Sequence, residues 1–244
     1  NFQSLASDRA AYRLGDQFDQ DVLGYLTGFK QSATHGSPDT VNTTTNGSVA
    51  VSTAGTDELL SSMKIDAAAF GGSAGASLAL QPRTGGATDS TPAAGDTFPL
   101  TVIARMSRLL DQQNVDTQGR WLVVDPVFME LLKDEDSRLF NADFGGSGLQ
   151  NGQVGTNIHG FRVYTSNNLP TVGTGPSFTG TNSTTNFGMI VAGHDSAVAT
   201  AEQINKTETY RDPDSFSDIV RGMHLYGRKI LRPEALVNAK YHLA

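Results

Sequence analysis

The chain contains no cysteine, which excludes disulfides, thiolate metal sites and a cysteine nucleophile, and leaves the redox compartment open. Positive charge is also scarce. Eighteen Lys and Arg stand against 25 Asp and Glu in 244 residues, a net charge of −7, which argues against a broad basic footprint for gripping nucleic acid. No apolar run approaches the roughly 18 residues of a membrane-spanning helix, so no membrane association is expected. No basic segment followed by an apolar core opens the chain, so no signal peptide is expected, and Asn1 in place of Met points to processing or to a fragment. Metal-ligand spacing is missing too: His35, His159, His194, His224 and His242 are far apart, with no H-x-x-x-H pattern, so neither a metal nor another cofactor is expected.

What is present is a strong helical signal at the start. Leu14, Phe18, Val22, Tyr25, Leu26 and Phe29, with Ala11, fall on one stripe, and Asp8, Arg9, Arg13, Asp16 and Asp19 on the other, which predicts a helix over 4–27. Ser4 is expected to cap its start and Gly28 its end. At about twice the mean helix length it suits a spine that crosses a domain. Residues 31–95 then shift to Ser, Thr, Gly, Ala and Asn and read as a long polar excursion with short islands at 57–63 and 76–80. A second helix is predicted over 99–113, with Thr97 as cap, Pro99 in the first turn, and Val102, Ile103, Met106, Leu109 and Leu110 buried.

Beyond it the periodicity changes. Arg120–Val124 (RWLVV) reads as a buried strand, Asp125-Pro126 as an N-cap with Pro at the first helical position, and 127–133 as a short helix. Strands are predicted at 161–165 and 187–192, a turn at 167–170, a short helix at 195–199 capped by Asp195, and a charged strand at 202–211. The tail is two-sided. Phe216, Ile219, Val220 and Met223 have helical spacing, while Gly222 and Gly227 oppose a helix, leaving helix and strand both open for 216–222. From Met223 onward, Met223, Leu225 and Leu231 alternate with His224, Tyr226 and Arg228, then Arg232-Pro233-Glu234 makes a corner before a strand over 236–243. Apolar and aromatic residues so concentrated at a C-terminus predict a tail built into a core. The mixture is α+β, without regular βαβ alternation.

Chemistry-bearing patterns are sparse. Gly71-Gly72-Ser73-Ala74-Gly75 matches G-x-S-x-G, which on a strand-to-helix elbow would expose Ser73 as a nucleophile, but the Ala-rich stretch before it is a poor strand. Gly145–Gly148 lacks the GK[ST] that would make it a phosphate loop. No catalytic residue is assigned, and an enzyme is not expected.

Four blocks in order resemble the major capsid protein of tailed phages, of the Hong Kong 97 type, and its podophage coat-protein branch in particular. They are GRWLVVDPVFMELLKD (119–134), VGTNIHGFRVYTSNNLP (154–170), VAGHDSAVATAEQINKTETYR (191–211) and SDIVRGMHLYGRKILRPEAL (217–236). The helix over 4–27 is similar to the family's spine helix. The resemblance implies a peripheral domain at 1–116, an axial domain at 117–215 and return strands at 216–244 that complete the peripheral domain. It also implies self-assembly into hexamers and pentamers of an icosahedral virion shell, with scaffolding, portal and possible decoration proteins as partners, host cytoplasm as the place of assembly, and double-stranded DNA enclosed without strong specific binding. The assembly contacts expected on this basis are Asp8, Arg9, Arg13, Arg120, Arg221, Arg228 and Lys229. The family's N-terminal arm and extended loop do not precede the spine in this sequence. The alternatives are an encapsulin-like protein shell, a serine hydrolase using Ser73, and a monomeric β-rich binding protein.

Overall fold

The computed structural model describes residues 2–28, 59–81, 96–133, 157–172, 175–176, 186–211 and 218–243. Phe29, the glycine run at 145–148 and most of the polar excursion lie outside them. Helix α1 spans Phe2–Thr27, so Ser4 falls inside it and not at its cap. Its C-terminal end is built as expected. Gly28 has φ 77°, a left-handed conformation that suits glycine, and its N–H reaches back to the Gly24 carbonyl at 3.0 Å. Helix α2 spans Pro99–Gln112 and buries Val102, Ile103, Met106 and Leu110. Its N-cap is Phe98, without a side-chain cap bond, because Thr97 is drawn into a strand.

Those strands form a nine-stranded mixed sheet. In chain order they are β1 Lys64–Ile65, β2 Leu78–Leu80, β3 Asp96–Thr97, β4 Arg120–Val124, β5 Asn157–Ile158, β6 Phe161–Thr165, β7 Thr171–Val172, β8 Phe187–His194 and β11 Leu236–Leu243. The path runs β3-β2-β11-β8-β4-β6-β5, with β1 also on β11 and β7 also on β8. Strands β8 and β11 lie at the centre, antiparallel, with Leu236 opposite Gly193 and Tyr241 opposite Gly188. Both are buried nearly end to end; β8 accordingly reads as a nearly continuous apolar run, while β11 buries Asn238 and His242 among its apolar residues. Gly193 is required there: a Cβ would stand 2.8 Å from the Trp121 ring and 3.0 Å from Leu236.

Helix α3, Pro126–Leu132, follows β4 directly. The Asp125 carboxylate accepts from the Phe128 N–H at 3.0 Å, the expected cap, and also from the Tyr241 hydroxyl of β11. Phe128 meets the Tyr241 ring edge-on, centroids 5.4 Å apart. Burial pushes the Asp125 carboxyl above the usual aspartate range, against the opposing pull of these hydrogen bonds. The folded state thus holds this proton more tightly than the unfolded chain, so the group's contribution to stability falls as pH rises from the unfolded pKa through the folded one. Asp125→Asn keeps an acceptor and drops the charge. In denaturant titrations from about pH 4 to about pH 7, the stability of the variant relative to wild type is expected to rise with pH; a difference that stays flat would show that burial does not penalise this carboxylate.

Two further strands stand apart as a ribbon. Strand β9, Val198–Arg211, pairs antiparallel with β10, Asp218–Ile230, from Ile230 opposite Val198 to Asp218 opposite Arg211, with a bulge at Leu225/Tyr226. Strand pairing therefore decides the ambiguous start of the tail: it is extended from Asp218. The expected helix at 195–199 is absent. Ala197 N–H bonds the His194 carbonyl at 2.9 Å, a tight turn that sends the chain straight into β9. The Asp195 carboxylate accepts from Arg162 at 3.1 Å and caps nothing.

Candidate functional site

Among the described residues, helix α1 is anchored at one end only. Val22, Leu23, Tyr25 and Leu26 pack on the core, and the Asn238 side-chain amide of β11 donates to the Thr27 carbonyl at 3.2 Å. Asn168 in the turn after β6 donates to Asp16 at 2.9 Å and accepts from Gln20 at 3.3 Å. Toward the N-terminus, Leu5 is 55% and Tyr12 73% exposed, seven residues apart on one stripe of the helix. Asp8, Arg9 and Arg13 are exposed beside them, so half of the helix projects with a surface that is neither core nor uniformly polar.

The ribbon lies along α1. His224 and Tyr226 pack on Phe18 with centroids 5.3 and 4.7 Å away, and the Tyr226 hydroxyl donates to Asp21 at 2.8 Å. Arg228 ion-pairs with the same carboxylate and lies over the Tyr25 ring at 4.9 Å; burial holds its pKa below the usual arginine range. The polar-looking side of the tail is thus the side that packs, since rings and an arginine stem bury area while their polar tips find partners. The other side faces out: Met223, Leu225 and, beyond the strand's end, Leu231 are exposed. Expectation of a tail built into a core holds for β11 and fails for this face of β10.

On the outer face Lys206 and Arg221 both engage Glu208, Arg221 also covering the Tyr210 ring at 5.0 Å. These contacts, the Lys206 hydrogen bond first, hold the Glu208 carboxyl below the usual range. Of the seven expected contact residues, Asp8, Arg9, Arg13, Arg221 and Lys229 are exposed. Arg228 is turned onto α1. Arg120 is 3% exposed and donates to the Val115 and Asp116 carbonyls at 2.6 and 2.8 Å, with Asp111 at 2.7 Å.

The candidate chemistry finds little support. Gly71, at φ 86°, ends a 3-10 turn over Ala67–Phe70, and Ser73 lies in an exposed turn, not on a strand-to-helix elbow. A serine–histidine contact does exist at Ser77 Oγ and His242 Nδ1, 2.8 Å apart, but both residues are at most 1% exposed and hold β11 to the segment before β2. Neither residue was legible as part of a pair, since 165 positions separate them. His194 accepts from the Ser196 N–H at Nδ1 and so presents Nε2–H to the Gln118 carbonyl at 2.8 Å. It is a turn staple. Among the described residues no group of three or more His, Asp or Glu could hold a metal ion, and no helix is long and apolar enough to cross a membrane.

A long projecting helix strapped by a two-stranded ribbon, beside a mixed sheet with small α-helices, is the architecture of the Hong Kong 97-type shell proteins. A family model described as phage capsid protein matches residues 2–239, and the chain belongs to that family. Among solved structures it is similar to a chain from Mycobacterium phage Che8, 34% identical over 66% of this chain and 53% of that one, TM-score 0.49. It is also similar to a chain from the capsid of cyanophage P-SCSP1u, 19% identical over 69% and 54%, TM-score 0.48. A chain from Gordonia phage Cozz matches across 100% of this chain and 64% of its own, with 14% identity and TM-score 0.51, a likeness of fold. The chain thus spans between 53% and 64% of the length of these relatives. No curated protein matches.

Proposed function

We propose that the chain acts as a major capsid subunit, copies of which join head-to-tail into hexameric and pentameric capsomers that tile an icosahedral shell around double-stranded DNA. The observation that carries this reading is the projecting half of α1, whose Leu5 and Tyr12 are exposed and would gain burial against another molecule. In this reading α1 with the β9–β10 ribbon forms the peripheral unit and the sheet around β8 and β11 the axial one. That division follows strand pairing, since the sequence boundary at 215/216 would separate β9 from β10. The assembly contacts are Asp8, Arg9 and Arg13 on α1 and Arg221 and Lys229 on the ribbon, while Arg120 and Arg228 act inside the subunit. A net charge of −7 suits a wall that lets DNA enter and pack without adhering. Scaffolding and portal proteins are further partners of such a shell, and the podophage branch rests on the four sequence blocks.

Sedimentation of the purified chain at micromolar concentration tests the reading. Rings or shells many subunits in mass are expected, and a species with the mass of one chain at every concentration would refute it. Nucleic-acid absorbance in particles made in cells separates a DNA-filled shell from one that encloses protein.

A further inference from the structure

We propose that the outer face of the β9–β10 ribbon is a contact between copies of this chain, covered by an acidic surface of a second copy. The proposal rests on the shell-forming reading and names one surface which that reading needs. Met223 and Leu225 stand on this face 55% and 49% exposed, mid-strand, where the regular alternation of β10 fixes their direction away from α1. Register sets their neighbours: Met223 is opposite Lys206, and Arg221 opposite Glu208. The apolar pair is therefore bordered by charge, as the middle of an interface is by its rim.

Charge identifies the occupant. Among the described residues, Lys206, Arg221 and Lys229 share this face with one anion, the half-buried Glu208, on a chain whose net charge is −7. The remainder of every copy is consequently more acidic than the whole, and complementary to this strip. Size agrees with a copy contact. Thirteen residues of β10 at about 3.4 Å each, on two strands about 4.8 Å apart, make a strip of roughly 400 Å². That is half of the roughly 800 Å² each partner gives to a standard interface, right for one of several contacts of a subunit held on many sides. A polyanion fits less well, since phosphates would leave the exposed Met223 and Leu225 wet.

Met223 makes the test direct. Hydrogen peroxide transfers an oxygen atom to an accessible thioether, giving the sulfoxide and water. Met63, Met106 and Met189, at most 2% exposed, serve as internal controls. With the full chain, sulfoxide at Met223 measured by peptide mass is expected to form about tenfold more slowly in assembled particles than in dispersed subunits. Equal rates would overturn the proposal while the particles themselves uphold the shell reading; a chain that stays single at every concentration would overturn both. Protection of Met223 in dispersed subunits by duplex DNA alone would make the face a nucleic-acid surface, and would also overturn it. A second arm uses Met223→Asp, which is expected to leave the thermal midpoint of the subunit unchanged and to weaken association about a hundredfold. Undiminished assembly of that variant would refute the contact, and a variant that failed to fold would leave the footprint, which needs none, to decide.

Discussion

Phe128→Ala is expected to lower the free energy of unfolding by about 3–5 kcal/mol, the range for deleting a fully buried aromatic ring, and to shift a urea midpoint accordingly without changing its slope. Phe128 is 0% exposed and lies where three parts of the fold meet: the β4 to α3 turn, the α3 helix and the Tyr241 ring of β11. Removing it leaves Tyr241 without its edge-on partner while the Asp125 hydrogen bond still holds the hydroxyl in place. The site therefore cannot collapse freely, which puts the cost toward the upper part of that range. A loss below about 1.5 kcal/mol, the ceiling for volume-conserving swaps, would mean that the β4–α3–β11 junction repacks and is not a fixed point of the fold. The backbone of Phe128 donates the cap bond and is untouched by the change, so the measurement isolates the ring.

That junction was legible in the sequence because its signals are local. RWLVV is a five-residue apolar strand, and Asp125-Pro126 combines an N-cap with a residue whose φ is already helical. Strands β1, β2, β3, β5 and β7 have only two or three residues each, too few for a period of two to register. Their existence depends on partners such as β11 and β8 that lie far along the chain. The ribbon was misread for a different reason. Alternation separates Met223 and Leu225 from His224, Tyr226 and Arg228, but which set is covered depends on where α1 lies, and the covering helix supplies Asp21 and Tyr25 to satisfy an arginine. Hydropathy favours the opposite assignment, and the unusual result, apolar side out, is what marks the surface. The exposed residues of the candidate site, Asp8, Arg9, Arg13, Arg221 and Lys229, were legible as charge on an otherwise patterned element. The exposed apolar members, Leu5 and Tyr12, were not, because a helix that projects past its own domain looks in sequence like one that does not.

Arg120 shows the same ambiguity from the other side, and its replacement separates the two roles. It opens a strand that reads as buried, while the resemblance, which puts it near a domain junction, makes it a candidate for contact with another copy. Its side chain is instead 2% exposed and paired with an Asp111 that is 55% exposed, while its remaining N–H groups close off two backbone carbonyls of the loop between α2 and β4. Those carbonyls are what make it costly to lose. Asp111 can be rehydrated where it stands, but the Val115 carbonyl belongs to a buried residue and would be left without the guanidinium that satisfies it. A buried acceptor deprived of its donor costs about 1–3 kcal/mol, and loss of one partner from a buried pair about 3–5 kcal/mol. With Asp111 at the surface the cost of the unsatisfied carbonyl dominates, and Arg120→Ala is expected to destabilise the isolated subunit by about 1–3 kcal/mol. A pure assembly contact would behave in the opposite way, with the unfolding midpoint of the dispersed subunit unchanged and particle yield reduced. Measuring both on one preparation decides between them: a lowered midpoint places Arg120 in the frame that carries α2 onto the sheet, and an unchanged midpoint with failed assembly would return it to the contact surface.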